Sequence, residues 1–208
     1  MKQFSALFYR ELFIGFKNTN NFLISFFFFL VGVLIFIFAA GSDQETLLKI
    51  GHAIVWSIIL FTTILSSEQF FLKDYLDGSL KELQVIGYNP EIIIITKTMV
   101  MWIYLILPLV IFTPLIGIML QINIKEILIL VFSIILGSPS LLLITSIGVL
   151  LTIQSSNNKV ILLVLIFPFF IPILIFGVGA IEVSRSLMSP SSNFFILIAI
   201  FLITLPLT

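Results

Sequence analysis

From Phe22 to Ala40 the chain runs for nineteen residues without a charged side chain, FLISFFFFLVGVLIFIFAA. A helix rising 1.5 Å per residue needs ~20 apolar residues to cross the hydrocarbon of a bilayer. The run exceeds the ~7–15 apolar residues of a secretory leader, and bulky Phe38 stands where a cleavage site wants a small residue, so it reads as a retained membrane span. Comparable runs recur at Gly51–Ser67, Thr98–Leu120 (drawn back to about residue 92 by its lead-in), Ile127–Ile153, Val160–Ile181 and the shorter Phe194–Thr208. The expected fold is therefore an all-α integral membrane protein of six spans in one 208-residue domain.

The composition agrees. Hydrophobic residues make up 60% and charged residues 10%, against about 25% charged in soluble domains. The net charge is zero and there is no basic tract, which argues against a nucleic-acid partner. The absence of cysteine excludes disulfides, iron–sulfur clusters and thiolate metal sites. With the N-terminus inside the cell, Lys2, Arg10, Lys17, Lys73, Lys81, Lys97 and Lys159 fall on the inner side, and Lys49, Lys125 and Arg185 on the outer side. Seven against three favours that orientation by the positive-inside rule.

Before the first span, about residues 1–18, Phe4, Leu7, Phe8, Leu12 and Phe16 follow helical spacing, with Lys2, Arg10, Glu11 and Lys17 mostly off that face. This pattern suits an amphipathic helix lying in the membrane interface, with lipid as its partner. No P-loop, zinc-protease, nucleophile-elbow or Cys/His pattern occurs, so no enzyme active site is expected. His52, the lone histidine, could ligate a haem iron axially; the simpler reading is a polar residue at a water interface. The span centres hold no ionisable residue, and Lys97 is placed to snorkel to the inner surface.

Inside the spans the polar residues are mild. Gly137, Ser138, Pro139, Thr145, Gly148 and Thr152 put small residues and a proline on the fourth span, suited to close helix packing, with a substrate-lining surface as the alternative. Pro168 and Pro172, one turn apart, predict a bent or locally broken fifth span.

The densest charge lies between spans two and three, about residues 68–91, in LKDYLDGSLKELQVIGYNP, Leu72–Pro90. Asp77-Gly78 is a turn dipeptide. Ser79 and Glu82 fit a capping box. Leu80, Leu83 and Ile86 trace an apolar stripe on a short helix, Gly87 suits its end, and Asn89-Pro90 opens the next helix. A capped cytoplasmic helix of mixed charge suits docking into another protein; a solvated loop helix is the alternative.

This segment, SEQFFLKDYLDGSLKELQV, resembles the E-R-x-F-x-x-D-x-x-D-G-[ST]-L-E-x-L pattern of the haem exporter protein B family. Glu68, Phe71, Asp74, Asp77, Gly78, Ser79, Leu80 and Leu83 match; Gln69 replaces the arginine, and Lys81 stands at the acidic position with Glu82 beside it. LGSPSLLLITSIGVLLT and FPFFIPILIFG resemble that family's fourth and fifth spans, so the resemblance covers nearly the whole chain. Family members usually continue a few turns beyond Thr208, which a shortened sixth helix or an incomplete product would explain. The resemblance implies an ABC-2-like permease of a cytochrome c maturation ABC transporter. It also implies an ABC ATPase subunit supplying ATP hydrolysis, a second permease copy, a haem-handling membrane partner and haem as cargo, with no cofactor held by this chain. A non-transporting scaffold of the maturation complex, or a permease for another substrate, are the alternatives. Residues 68–91 would be the ATPase-coupling element, and charge reversal at Asp74 and Asp77 would weaken ATPase association. The membrane would be the bacterial inner membrane or, alternatively, the mitochondrial inner membrane.

Overall fold

The computed structural model describes residues 2–17, 19–41, 43–153 and 158–207; Met1, Asn18 and Thr208, at the ends drawn above for the interface helix and the sixth span, lie outside them. Among the described residues every regular element is helical. In chain order these are α1 (Lys2–Lys17), α2 (Thr19–Ala40), α3 (Gln44–Leu76), α4 (Ser79–Val85), α5 (Pro90–Met101), a π-helical segment (Trp102–Ile106), α6 (Leu107–Met119), α7 (Ile124–Thr152), α8 (Asn158–Arg185), α9 (Ser191–Thr204) and a 3₁₀ turn (Leu205–Leu207). Five helical stretches are long and apolar enough to cross a membrane: α2, α3, α5 through α6, α7 and α8. The sixth, α9, has 14 residues, short of the ~20 a crossing needs.

Hydropathy places the second span at 51–67, but the helix that contains it runs for 33 residues, ~50 Å at 1.5 Å per residue. Asp43 starts it, its carboxylate accepting from the Thr46 amide at 3.2 Å and the Thr46 hydroxyl at 2.6 Å. Nothing breaks the helix at Glu68, because polar side chains end the immersion in lipid and not the backbone ladder. The far end of α3 therefore continues past the apolar run, packing Phe71 into the main core.

The two prolines of the fifth span do not break it locally. The helix through Pro168 and Pro172 is unbroken over Asn158–Arg185. The irregular backbone lies in the third span, at Trp102–Ile106, where the Leu107 amide donates to the Trp102 carbonyl five residues back. Pro108 follows. A proline lacks the N–H and presses on the carbonyl four residues earlier, and a wider turn relieves both faults.

The core is built around one indole. Trp56 is fully buried, and its Nε1 donates to Ser133 Oγ at 3.1 Å. Gly137 on α7 and Gly177 on α8 make its slot: a Cβ would stand 2.6 Å from Cη2 at the first and 2.5 Å from Cζ2 at the second. Gly148 lets α8 approach α7, since a Cβ there would lie 2.9 Å from Leu162 Cδ1 and in collision with Ile166. Thr145 returns its hydroxyl to the Leu141 carbonyl at 2.6 Å and Thr152 to Gly148 at 2.9 Å, so both are satisfied within α7. Ser138, beside Pro139, accepts from Trp102 Nε1 at 2.9 Å, joining α7 to the π segment.

The apolar face read for α1 is rotated from the one the protein covers. Leu7, Glu11 and Gly15 are the buried positions, four apart, while Phe4, Phe13 and Phe16 are exposed.

Candidate functional site

The connection from α3 to α5 contains its own short helix. At Gly78, φ is +82°, a left-handed conformation that glycine adopts without steric cost. Ser79 is the first residue of α4 and not its cap, so the reciprocal Ser79–Glu82 box does not form. The physical reason is that Asp77 takes Ser79 first: Asp77 Oδ1 accepts from the Ser79 amide at 3.1 Å and from its hydroxyl at 2.8 Å. These bonds, the amide's above all, hold the Asp77 carboxyl below the ordinary carboxylate range. The end of α4 is a Schellman closure: the Tyr88 amide donates to the Leu83 carbonyl at 3.1 Å and Gly87, at φ +100°, to Gln84 at 3.0 Å. Asn89 then precedes Pro90 at the start of α5, making no side-chain cap bond.

The matched residues divide by burial. Phe71 is inside the main core, and Glu68 lines a small cavity with Leu72, Val149 and Leu162. Leu83 is buried in a separate apolar cluster with Leu7 of α1 and Ile93 of α5, with Leu80 packed against it. Ile86, expected on that stripe, is 71% exposed and its neighbour Val85 87% exposed. A helix of seven residues ends before its apolar face completes a second turn, and the left-handed Gly87 turns the chain away. Leu76 is exposed as well, as are Asp77, Lys81 and Glu82.

Lys97 does not snorkel. It is 1% exposed, and its ammonium donates to Glu11 Oε2 at 2.6 Å and to Asp74 Oδ2. Glu11, itself 2% exposed, accepts from Arg10 at 2.7 Å through its other oxygen. The Phe70 ring lies under the ammonium, 5.3 Å from centroid to nitrogen. An aqueous route was thus open in sequence terms, but two carboxylates delivered by α1 and α3 satisfy the charge in place. Arg10, Glu11, Lys73, Asp74, Asp77 and Ser79 also border a cavity of about 140 Å³. The sequence showed Glu11 only as part of the polar side of α1 and Lys97 only as a charge at the end of a span; nothing in either pattern pointed to the other.

At the opposite end of α3, His52 is buried rather than facing water. Its Nε2 lies 2.9 Å from Glu182 Oε1, so that nitrogen is engaged by a carboxylate. Arg185 binds Glu126 at 2.8 Å and the Leu48 carbonyl at 2.5 Å, closing α3, α7 and α8 together.

Among the described residues this arrangement offers a displayed helix anchored by Leu83, beside a buried charge cluster carried by α1, α3 and α5. The sequence model of the CcmB protein family matches residues 2–208. "Heme exporter protein B" of Bradyrhizobium diazoefficiens is 32% identical over 206 residues, 99% of this chain and 93% of that protein. The protein of the same name in Pseudomonas aeruginosa is 29% identical over 205 residues, 99% of this chain and 92% of its own length. In Haemophilus influenzae the corresponding protein is 32% identical over 173 residues, 83% of this chain and 78% of that one. With so nearly complete a match, the chain belongs to the CcmB protein family.

Proposed function

We propose that this chain is the membrane permease subunit of an ABC transporter complex for cytochrome c biogenesis. A separate ATPase hydrolyses ATP, and this chain couples that cycle to haem export or to release of a haem chaperone. The chain itself is not an enzyme in this reading. The names of the bacterial relatives support haem as cargo, and the apolar helices with those relatives support the bacterial inner membrane. A haem-handling membrane protein is the further partner. A second permease copy belongs on one of the spans with least cover from its own chain, α2 or α8, which are 17% and 28% buried over their most apolar windows.

The observation that carries the reading is α4. It is held at both ends, anchored from beneath by Leu83, and presents Val85 and Ile86 beside Lys81 and Glu82, with Leu76 exposed at the adjoining end of α3. Exposed apolar side chains rimmed by charge mark a protein-docking surface, here for the ATPase. Asp74 is 15% exposed and tied to Lys97, so its reversal would disturb the bundle as well as the surface. The test is therefore Val85→Asp with Ile86→Asp. Membrane insertion should persist, and co-purification of the ATPase in mild detergent should fall at least tenfold, as for loss of ~1.4 kcal/mol or more of binding. Undiminished co-purification would remove α4 as the docking element.

A further inference from the structure

α1 stands apart from the main core. Its buried apolar residue Leu7 belongs to the small cluster with Leu83 of α4 and Ile93 of α5. Its one buried charge, Glu11, meets Lys97 of α5, and Lys97 in turn meets Asp74 at the end of α3. Two ties thus join α1 to the coupling segment, one apolar and one ionic. The outward side of α1 carries Tyr9, Phe13 and Phe16, all more than half exposed. An amphipathic helix bearing those side chains suits the lipid interface.

Resting on the coupling reading above, we propose that Glu11 and Lys97 are positioning residues that make α1 a transmission arm. Displacement of α4 by the ATPase carries Lys97 through Asp74, and α1 follows through Glu11, so the stroke is delivered to the inner membrane surface as well as to the spans. The geometry supports this because, among the described residues, Lys97 is the ammonium shared by carboxylates from two elements, Glu11 of α1 and Asp74 of α3. An elastic apolar contact alone can slip; separating Glu11 from Lys97 strips each of one of its two counter-charges in a buried setting, leaving Glu11 with Arg10 and Lys97 with Asp74.

The variant that isolates the tie is Glu11→Met. It leaves the Lys97–Asp74 pair and the α4 surface in place, and it leaves no unpaired buried charge, because Arg10 is 43% exposed. The chain has no cysteine, so Gly15→Cys with Val100→Cys can replace the ionic tie by a covalent one. A Cβ at Gly15 lies 3.6 Å from Val100 Cγ1, within reach of a disulfide. The complete complex is reconstituted in nanodiscs. Two quantities are read: ATPase bound per permease, and ATP turnover that responds to the haem-side partners.

In Glu11→Met, bound ATPase should stay within twofold of wild type, while the responsive turnover should fall at least ~5-fold, the lower range of allosteric coupling. Adding the cysteine pair should restore it when oxidised and lose it again on reduction in the same sample, a reversal that a folding defect would not show. Three results would overturn the proposal: unchanged coupling in Glu11→Met, failure of the oxidised pair to restore coupling, or loss of ATPase binding in Glu11→Met, which would assign Glu11 to docking. Failure of the docking reading itself shows separately, as undiminished ATPase binding in the Val85→Asp, Ile86→Asp variant.

Discussion

Replacing Gly177 by alanine adds one methyl group to α8 and tests how tightly Trp56 is held. By helix propensity alone the change should stabilise the protein by ~1 kcal/mol. The new Cβ, however, stands 2.5 Å from Cζ2 and 2.6 Å from Cε2 of the indole, about 1 Å inside the optimal carbon–carbon separation. The ring has no direction of retreat. Gly137 stands against Cη2 of the same ring, and Nε1 is fixed to Ser133. Overpacking costs ~1–3 kcal/mol, and a clamped, fully buried ring puts this site at the upper end. The net expectation is about 2 kcal/mol of destabilisation, a factor of roughly 30 in the unfolding equilibrium. Reversible unfolding in mixed micelles, followed by tryptophan fluorescence, measures it. Gly15→Ala is the control with opposite sign: its Cβ meets Val100 and Tyr104 at 3.6 and 3.9 Å, ordinary contact, so it should be neutral or stabilise by up to ~1 kcal/mol. In a Trp56→Phe background the cost of Gly177→Ala should shrink by at least ~0.5 kcal/mol. An unchanged cost there, or a Gly177→Ala protein as stable as the parent, would refute the clamp.

Two further outcomes follow from the charged turn. Lys97→Met leaves Glu11 and Asp74 buried against each other without their ammonium, and should destabilise by ~3–5 kcal/mol; adding Glu11→Gln and Asp74→Asn should recover most of that in the same assay, and no recovery would argue against the ion pairs as the cause. The Asp77 carboxyl is depressed in the folded protein, so its stabilising bonds to Ser79 are complete above the unfolded carboxylate value of ~3.9 and are lost as pH falls through the lower folded value. Amide-exchange protection at Ser79, corrected for intrinsic rates, should hold from pH 7 to about 4 and decline below it; a decline already complete at pH 5 would contradict the assignment.

The spans were legible because hydropathy and helix length are properties of contiguous sequence. The ends of α3 were not, since Asp43 and Leu76 mark where hydrogen bonding stops and hydropathy marks only where lipid stops. The turn at Gly78, the closure at Gly87 and the Asn89-Pro90 restart could be read locally because left-handed backbone and a missing N–H are local demands. The capping box was misread for a related reason: Asp77 and Ser79 both seek the same orphan amides, and which wins depends on coordinates. Prolines 168 and 172 suggested a bent or locally broken span; the helix there is unbroken, and the widened turn stands before Pro108. Gly177 escaped notice because its reason, Trp56, is more than a hundred residues away in sequence.

The ion pairs around Lys97 show why part of the site could not be read at all. Glu11, Asp74 and Lys97 lie on three helices, 86 and 23 residues separating the lysine from its partners. Each alone resembles an ordinary interfacial charge, for which snorkelling is the sound default. Together with Arg10 they sum to zero charge, two cations against two carboxylates, alternating in contact. A neutral, alternating set can be enclosed at the edge of the bundle where a single ammonium could not, because each charge finds its counter-charge within hydrogen-bonding reach. The same neutrality makes the set indifferent to the helix on which each member rides, so nothing in one stretch of sequence points to another. What does follow is a constraint on movement: α1, α3 and α5 can shift as a group with every charge paired, whereas α5 cannot leave without baring Lys97 and Asp74, α3 cannot leave without baring Asp74, and α1 leaves with Glu11 held by Arg10 alone.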